Sequence, residues 1–114
     1  MNETQELKDW YHVSFDEQGF TRNVAPPGKD PWSDFAPWDR IIRVCFKGAE
    51  VFLATDEIYI FTQDRPESYL IPMDADGGSE LWDELIRRGL FDAELAIKAV
   101  SAEEGELFCW PPQE

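Results

Sequence analysis

His12, Cys45 and Cys109 are the side chains best suited to nucleophilic chemistry in this 114-residue chain. A thiolate activated by imidazole would need His12 beside one of the two cysteines, and nothing in their spacing joins them. His12 stands in an aromatic stretch that reads as a strand, where a half-buried structural histidine is the preferred reading. The cysteines lie sixty-four positions apart with no CxxC spacing. They are too few for a disulfide framework or a zinc site and read as reduced, packed thiols of a cytosolic protein. GxGxxG, P-loop and GxSxG motifs are all missing, so no cofactor and no catalytic residue is assigned.

DADGGSELWDEL, residues 74–85, has the first two ligand offsets of a calcium loop at Asp74 and Asp76. Counted on from Asp74, however, Gly78 stands where Asp or Asn belongs, Ser79 where the turn glycine belongs, and Leu85 where the bidentate Glu belongs. No metal site is expected. Asp74, Asp76 and Glu80 read instead as acids placed near the positive end of a helix dipole. Arg87 and Arg88 are the only adjacent bases, and they suit the last turn of that helix, with Arg87 paired to Asp83 or Glu84.

Charge is the strongest bulk signal. The net charge is −14; residues 1–47 carry eight acids and six bases, net −2, and residues 48–114 sixteen acids and four bases, net −12. Such a field repels nucleic-acid phosphates and anionic lipid headgroups and speeds encounter with cationic partners, besides favouring solubility. The expected partner is therefore a cationic protein, with neither nucleic acid nor membrane as a target. No window approaches the roughly 20 apolar residues that span a bilayer. The polar opening MNETQELKD is unlike a secretory signal, so a soluble, cytoplasmic protein is expected.

The elements that would carry these residues follow from periodicity. WYHVSFDEQGFTRNV predicts a hairpin, with strands near 10–15 and 20–25 around a turn in which Gly19 can take a positive φ. APPGKDPWSDFAP, residues 25–37, has four prolines and a glycine and predicts an ordered surface loop, pinned or decorated by Trp32 and Phe35. In WDRIIRVCFK, Ile42, Val44 and Phe46 alternate with Arg43, Cys45 and Lys47, a half-buried strand. EIYIFTQ is apolar on both faces and reads as central or covered, while VFLAT before it is ambiguous between strand and loop. A turn at Asp64–Glu67 leads into SYLIP, a further strand. Leu81, Trp82, Leu85 and Ile86 form the stripe of an amphipathic helix capped by Asp76 or Ser79. Gly89 ends it, Asp92 caps a second helix with the face Leu95, Ala96, Ala99 and Val100, and ELFCW makes a last strand.

The order WDRIIRV, an aromatic strand, IP before a short helix, GLFD opening the next helix, and FCW near the end resembles a group of small bacterial cytosolic proteins similar in appearance to pleckstrin-homology folds. The resemblance runs from Trp38 to Trp110 and rests on Trp38, Val44, Pro72, Gly89, Phe91, Asp92, Phe108 and Trp110. In size and charge such proteins are similar to the immunity proteins encoded beside bacterial toxins.

The expected fold is a single α+β domain over residues 1–114: a mainly antiparallel, strongly bent sheet or partial barrel, two short helices in the C-terminal half, a final strand, and weak order in residues 1–9. The expected function is a non-enzymatic protein-binding module of the immunity type that covers a basic toxin domain such as a nuclease. Its contacts would come from the aromatics Trp32, Phe35 and Phe52 and the acids Asp74, Asp76, Glu80, Asp83 and Glu84. The alternatives are a lipid- or phosphate-binding module, or a small enzyme using His12 and a cysteine. An open sheet edge would permit homo-oligomers.

Overall fold

A computed structural model describes residues 6–49, 55–101 and 103–112. The architecture is mixed α+β, with seven strands in two sheets, each strand antiparallel to its neighbours. Sheet one has the order β1-β2-β3 (Tyr11–Phe15, Gly19–Val24, Trp32–Pro37). Sheet two has the order β6-β5-β4-β7, with β4 at Ile41–Lys47, β5 at Glu57–Thr62, β6 at Arg65–Pro72 and β7 at Leu107–Trp110. The sheets do not close into a barrel. One apolar cluster runs through both of them and the two later helices.

The first hairpin forms as its pattern requires, pairing Phe15 with Phe20 and Tyr11 with Val24. Asp16 shapes its turn, because its Oδ1 accepts from the backbone N–H groups of Gln18 at 2.8 Å and Gly19 at 3.2 Å. Gly19 is needed for a reason other than a positive φ, which it does not adopt. A Cβ there would lie 2.1 Å from the Ala36 carbonyl oxygen, so the glycine lets β3 approach β2. Ahead of the hairpin, α1 (Leu7–Trp10) turns part of the expected loose N-terminus into a short helix, and its Leu7 and Trp10 pack on the core.

The proline-rich stretch departs from expectation. Only its first half is loop, and Trp32–Pro37 pairs along the whole of β2. Composition misleads here because β3 is an edge strand, where the N–H that proline lacks would have pointed away from the ladder. A second departure lies in β4. A bulge between Ile41 and Arg43 breaks the alternation and leaves Ile42 51% exposed, while Val44 and Phe46 stay in the core. The expected reading of EIYIFTQ holds, since β5 is central, with Ile58 and Ile60 fully buried and Tyr59 and Phe61 half-buried on the other face. The β5–β6 turn is tighter than expected, Gln63 and Asp64 alone, and β6 already contains Pro66. VFLAT falls outside the described residues except for Thr55.

Helix α2 (Gly78–Arg87) buries Leu81, Trp82 and Leu85 in the core, with the Trp82 ring tilted between Phe46 of sheet two at 5.0 Å and Phe91 at 4.7 Å. Neither expected cap is used. The N-cap is Gly77 at φ 87°, its Cα pressed so close to β1 that a Cβ would lie 2.1 Å from the Val13 carbonyl oxygen. Gly89 at φ 77° ends the helix, and Asp92 Oδ2 accepts from Leu95 N at 2.9 Å to start α3 (Ala93–Ala99), both as read from the sequence. Ala96 and Ala99 turn inward, but Val100, beyond the last turn of α3, is 77% exposed rather than part of the buried face.

Polar contacts at two places, besides the shared apolar core, help to hold the sheets in place. Backbone bonds Val13 N to Asp76 O (2.8 Å) and Asp76 N to Tyr11 O (3.0 Å) tie β1 to the residues just before α2. At the other place the buried Arg22 guanidinium donates to Asp34 twice (2.9 and 2.6 Å), to the Tyr11 hydroxyl and to the Leu70 carbonyl, and stacks on Trp32 and Tyr69. Burial pushes the Tyr11 hydroxyl pKa up, and the neighbouring Arg22 charge offsets only part of that.

The two cysteines also depart from expectation. Cys45 on β4 and Cys109 on β7 are directly opposite in the ladder, Cα–Cα 4.0 Å, and form a disulfide. Reduced, separately packed thiols are therefore not what the fold contains. The pairing depends on β7 returning to the edge of β4 after both helices, an adjacency that spacing alone does not reveal.

Candidate partner-binding surface

The expected acids occupy one continuous stretch of chain, but they divide into two kinds. Asp74, Glu80 and Asp83 are exposed, and none is in an ion pair with a described residue. Asp74 follows β6, where Thr55 Oγ1 accepts from its backbone N–H at 3.1 Å. Glu80 and Asp83 are three apart on α2, which puts them on one side of the helix, away from the buried Leu81, Trp82 and Leu85. Asp76 is exposed yet engaged, its Oδ2 lying 2.8 Å from His12 Nδ1.

Glu84 belongs to the other kind. It is buried, and Arg87 Nε (3.0 Å) and Arg88 Nε (2.7 Å) both donate to its carboxylate, so its charge is not offered to solvent. The hydrogen bond from Arg87, followed by that from Arg88, holds the Glu84 carboxyl below the usual carboxylate range. The Arg88 guanidinium also covers the ring of Trp38, 4.4 Å from its centroid. The arginine pair therefore finishes α2 as its sequence spacing suggested.

Several other bases are spent in the same manner. Arg22 and Arg65 meet Asp34, Arg40 meets Asp64, and Lys8 meets Glu6. The acids so neutralised lie outside the 74–83 stretch, which keeps its negative charge. Exposed single pairs of this type contribute little to stability, but they decide where the uncompensated charge remains.

The aromatic candidates do not form one patch. Trp32 and Phe35 are three apart on β3, so their side chains leave opposite faces of the sheet. Both are exposed, but Trp32 stacks on Arg22 at the inner face and Phe35 lies on the outer one. Trp32 does border a cavity of about 290 Å³ with His12, Asn23 and Ser33, and His12 links that cavity to Asp76. Phe52 lies outside the described residues.

His12 and Asp76 have the geometry of an acid–base pair, but the register supplies no partner for them. Asn23 is directly opposite His12, and Ser33 is one strand further, roughly 9.6 Å away across two strand spacings. That is far beyond the reach of a hydroxyl–imidazole hydrogen bond. His12 is not brought to either cysteine, whose sulfurs are joined to each other. Among the described residues, no three His, Cys, Asp or Glu side chains converge on a metal-sized point, and no helix is long and apolar enough to cross a membrane.

The pair makes a titration testable. The hydrogen bond to Asp76 raises the His12 pKa above its ordinary 6.5. Because the folded pKa is raised, this contribution to stability is fully present below the unfolded pKa and fades as pH rises through the folded one. NMR titration of the imidazole between about pH 5 and 8 should show the upward shift, and Asp76→Asn should bring it back toward the ordinary histidine value. An unshifted wild-type imidazole would contradict the contact. Family models, curated proteins and solved structures were all searched, and none matches this chain.

Proposed function

We propose that the chain is a protein-binding module for a cationic protein, of the kind represented by immunity proteins that cover a basic toxin domain. The observation that carries this reading is the partition of charge. The arginines are drawn into internal contacts, while Asp74, Glu80 and Asp83 stay exposed and uncompensated at the start and along the outer side of α2. A rigid helix with carboxylates on one side presents fixed charges to a basic surface, which speeds encounter and sets its orientation. Asp76 and Trp32, joined through the His12 cavity, would extend the contact toward sheet one.

Six antiparallel strands, two helices and a last strand, arranged in two sheets, suit a distant pleckstrin-homology-like ancestry, which we retain as part of the proposal. A cytoplasmic place of action is also proposed. In that compartment the Cys45–Cys109 pair would meet reducing thiols, so the protein would act there with the bridge open or under exchange.

The test is affinity capture on the immobilised chain from extracts of its own host. A basic protein retained at low salt and released as ionic strength rises is the expected result. Recovery of no basic protein, together with no toxin gene beside its own, would refute the proposal.

A further inference from the structure

The Cys45–Cys109 bridge lies on the outer face of sheet two, away from the core cluster, and open space borders it on both sides. A cavity of about 610 Å³ is lined by Ile42, Arg43, Cys45, Phe61 and Cys109 among others, and one of about 390 Å³ by Cys45, Lys47, Tyr59, Phe61 and Leu107. Cys45 itself is buried, 5% exposed, and Cys109 is half-buried, so the bridge is more open to solvent at Cys109. The surroundings of the two sulfurs also differ in ways that bear on exchange chemistry.

β7 is the edge strand and β4 its inner neighbour, and one rung of the ladder reads Cys109, Cys45, Tyr59 across three strands. Thiol–disulfide exchange proceeds by attack of a thiolate on one sulfur with the other leaving. The attacking and departing sulfurs lie in line, so the nucleophile must come from the side opposite the leaving group. For attack on Cys109 that side is the open edge of the sheet. For attack on Cys45 that side carries its rung neighbour Tyr59, half-buried and held by its hydroxyl to Glu57 at 2.7 Å, which narrows the approach. Cys109 is also the more exposed of the two residues.

The leaving side is prepared as well. Arg43 and Lys47 flank Cys45 at two residues' distance on the same strand, which places both on its face, and each shares a cavity wall with it. Adjacent cations stabilise a thiolate and make it a better leaving group. Arg43 is also the arginine that pairs with no carboxylate among the described residues, and its Nη1 donates instead to the Pro111 carbonyl at 2.9 Å.

We propose that Cys45–Cys109 is a thiol–disulfide exchange site, entered by a thiol reductant at Cys109 from the open sheet edge, with Cys45 as the leaving thiolate between Arg43 and Lys47. A dithiol attacks as its thiolate, forms a mixed disulfide with Cys109 and releases the Cys45 thiolate. Its second thiol then displaces Cys109 and closes the reductant into its own disulfide. Two electrons pass to the protein sulfurs, and the two thiol protons of the dithiol end on Cys45 and Cys109. β7 then stays on β4 through its four-residue ladder, the flanking backbone bond from Gly48 to Glu106, the packing of Phe108 and Trp110, and the Arg43–Pro111 bond.

The experiment uses the full chain, oxidised in air and folded, with reduced glutathione as a monothiol probe. The reaction is quenched with acid at early times, free thiols are blocked with maleimide, and the peptides are mapped by mass spectrometry. Glutathione should be on Cys109 and maleimide on Cys45, with at least a tenfold excess over the reverse. Tyr59→Ala, checked for folding by circular dichroism, should move the distribution toward equal labelling. Preferential or equal labelling of Cys45 in the wild type, reaction only after denaturant is added, or two free thiols in the air-oxidised protein would each overturn the proposal.

Discussion

Replacing Asp34 with alanine should destabilise the fold by about 3–5 kcal/mol, because it leaves a buried guanidinium without its counter-charge. The Arg22 side chain is 8% exposed and that of Asp34 26% exposed, so the two halves of this pair are not equivalent. Without Asp34, Arg22 keeps only neutral acceptors, the Tyr11 hydroxyl and the Leu70 carbonyl. Arg22→Met should be milder, about 1–3 kcal/mol. The abandoned Asp34 carboxylate can reach water and lies 4.0 Å from Arg65, and the Tyr11 hydroxyl still donates to the Leu70 carbonyl. Urea unfolding of both variants, with coincident fluorescence and circular dichroism transitions, measures the asymmetry. Equal losses would show that the pair is not among the contacts that hold the sheets in place.

Phe91→Ala should cost a similar amount, about 3–5 kcal/mol, through lost burial and the cavity left behind. Phe91 is almost wholly buried and its ring lies against Trp82, itself stacked on Phe46, so one truncation loosens the contact of α2 with sheet two. Ile97→Ala, on the exposed side of α3, should change stability by less than about 0.5 kcal/mol. Thermal unfolding of the two variants side by side checks the contrast, and a large loss at Ile97 would mean that its side of α3 is packed rather than exposed.

What could be read in the sequence and what could not divide along the range of the interactions. The first hairpin, the apolar stripe of α2, the Gly89 stop and the Asp92 cap are decided within a few residues of each position, and all four are in place. Glu84 with Arg87 was readable from helical spacing, although the burial that removes Glu84 from the surface was not. β3 becomes a strand only because β2 offers it an edge, and neither its prolines nor its aromatics encode that offer. The Ile42 bulge, the Arg22–Asp34 joint and the disulfide likewise depend on partners far along the chain. Of the candidate surface, the acids at 74, 80 and 83 were visible as charges. Their lack of ion-pair partners required knowing where every arginine goes.

The most direct test of the central claim compares two variants of equal net charge against the basic protein that the wild type captures. One is Asp74→Asn, Glu80→Gln, Asp83→Asn; the other neutralises the exposed acids Glu67, Glu94 and Glu103, which lie outside that stretch. Titration calorimetry at physiological salt should show the first variant weakened by at least about a hundredfold, as expected if each lost contact is worth about 1 kcal/mol, and the second within about threefold of wild type. Equal weakening of both would mean that net charge alone attracts the partner. Unchanged affinity in the first would mean that the partner binds elsewhere.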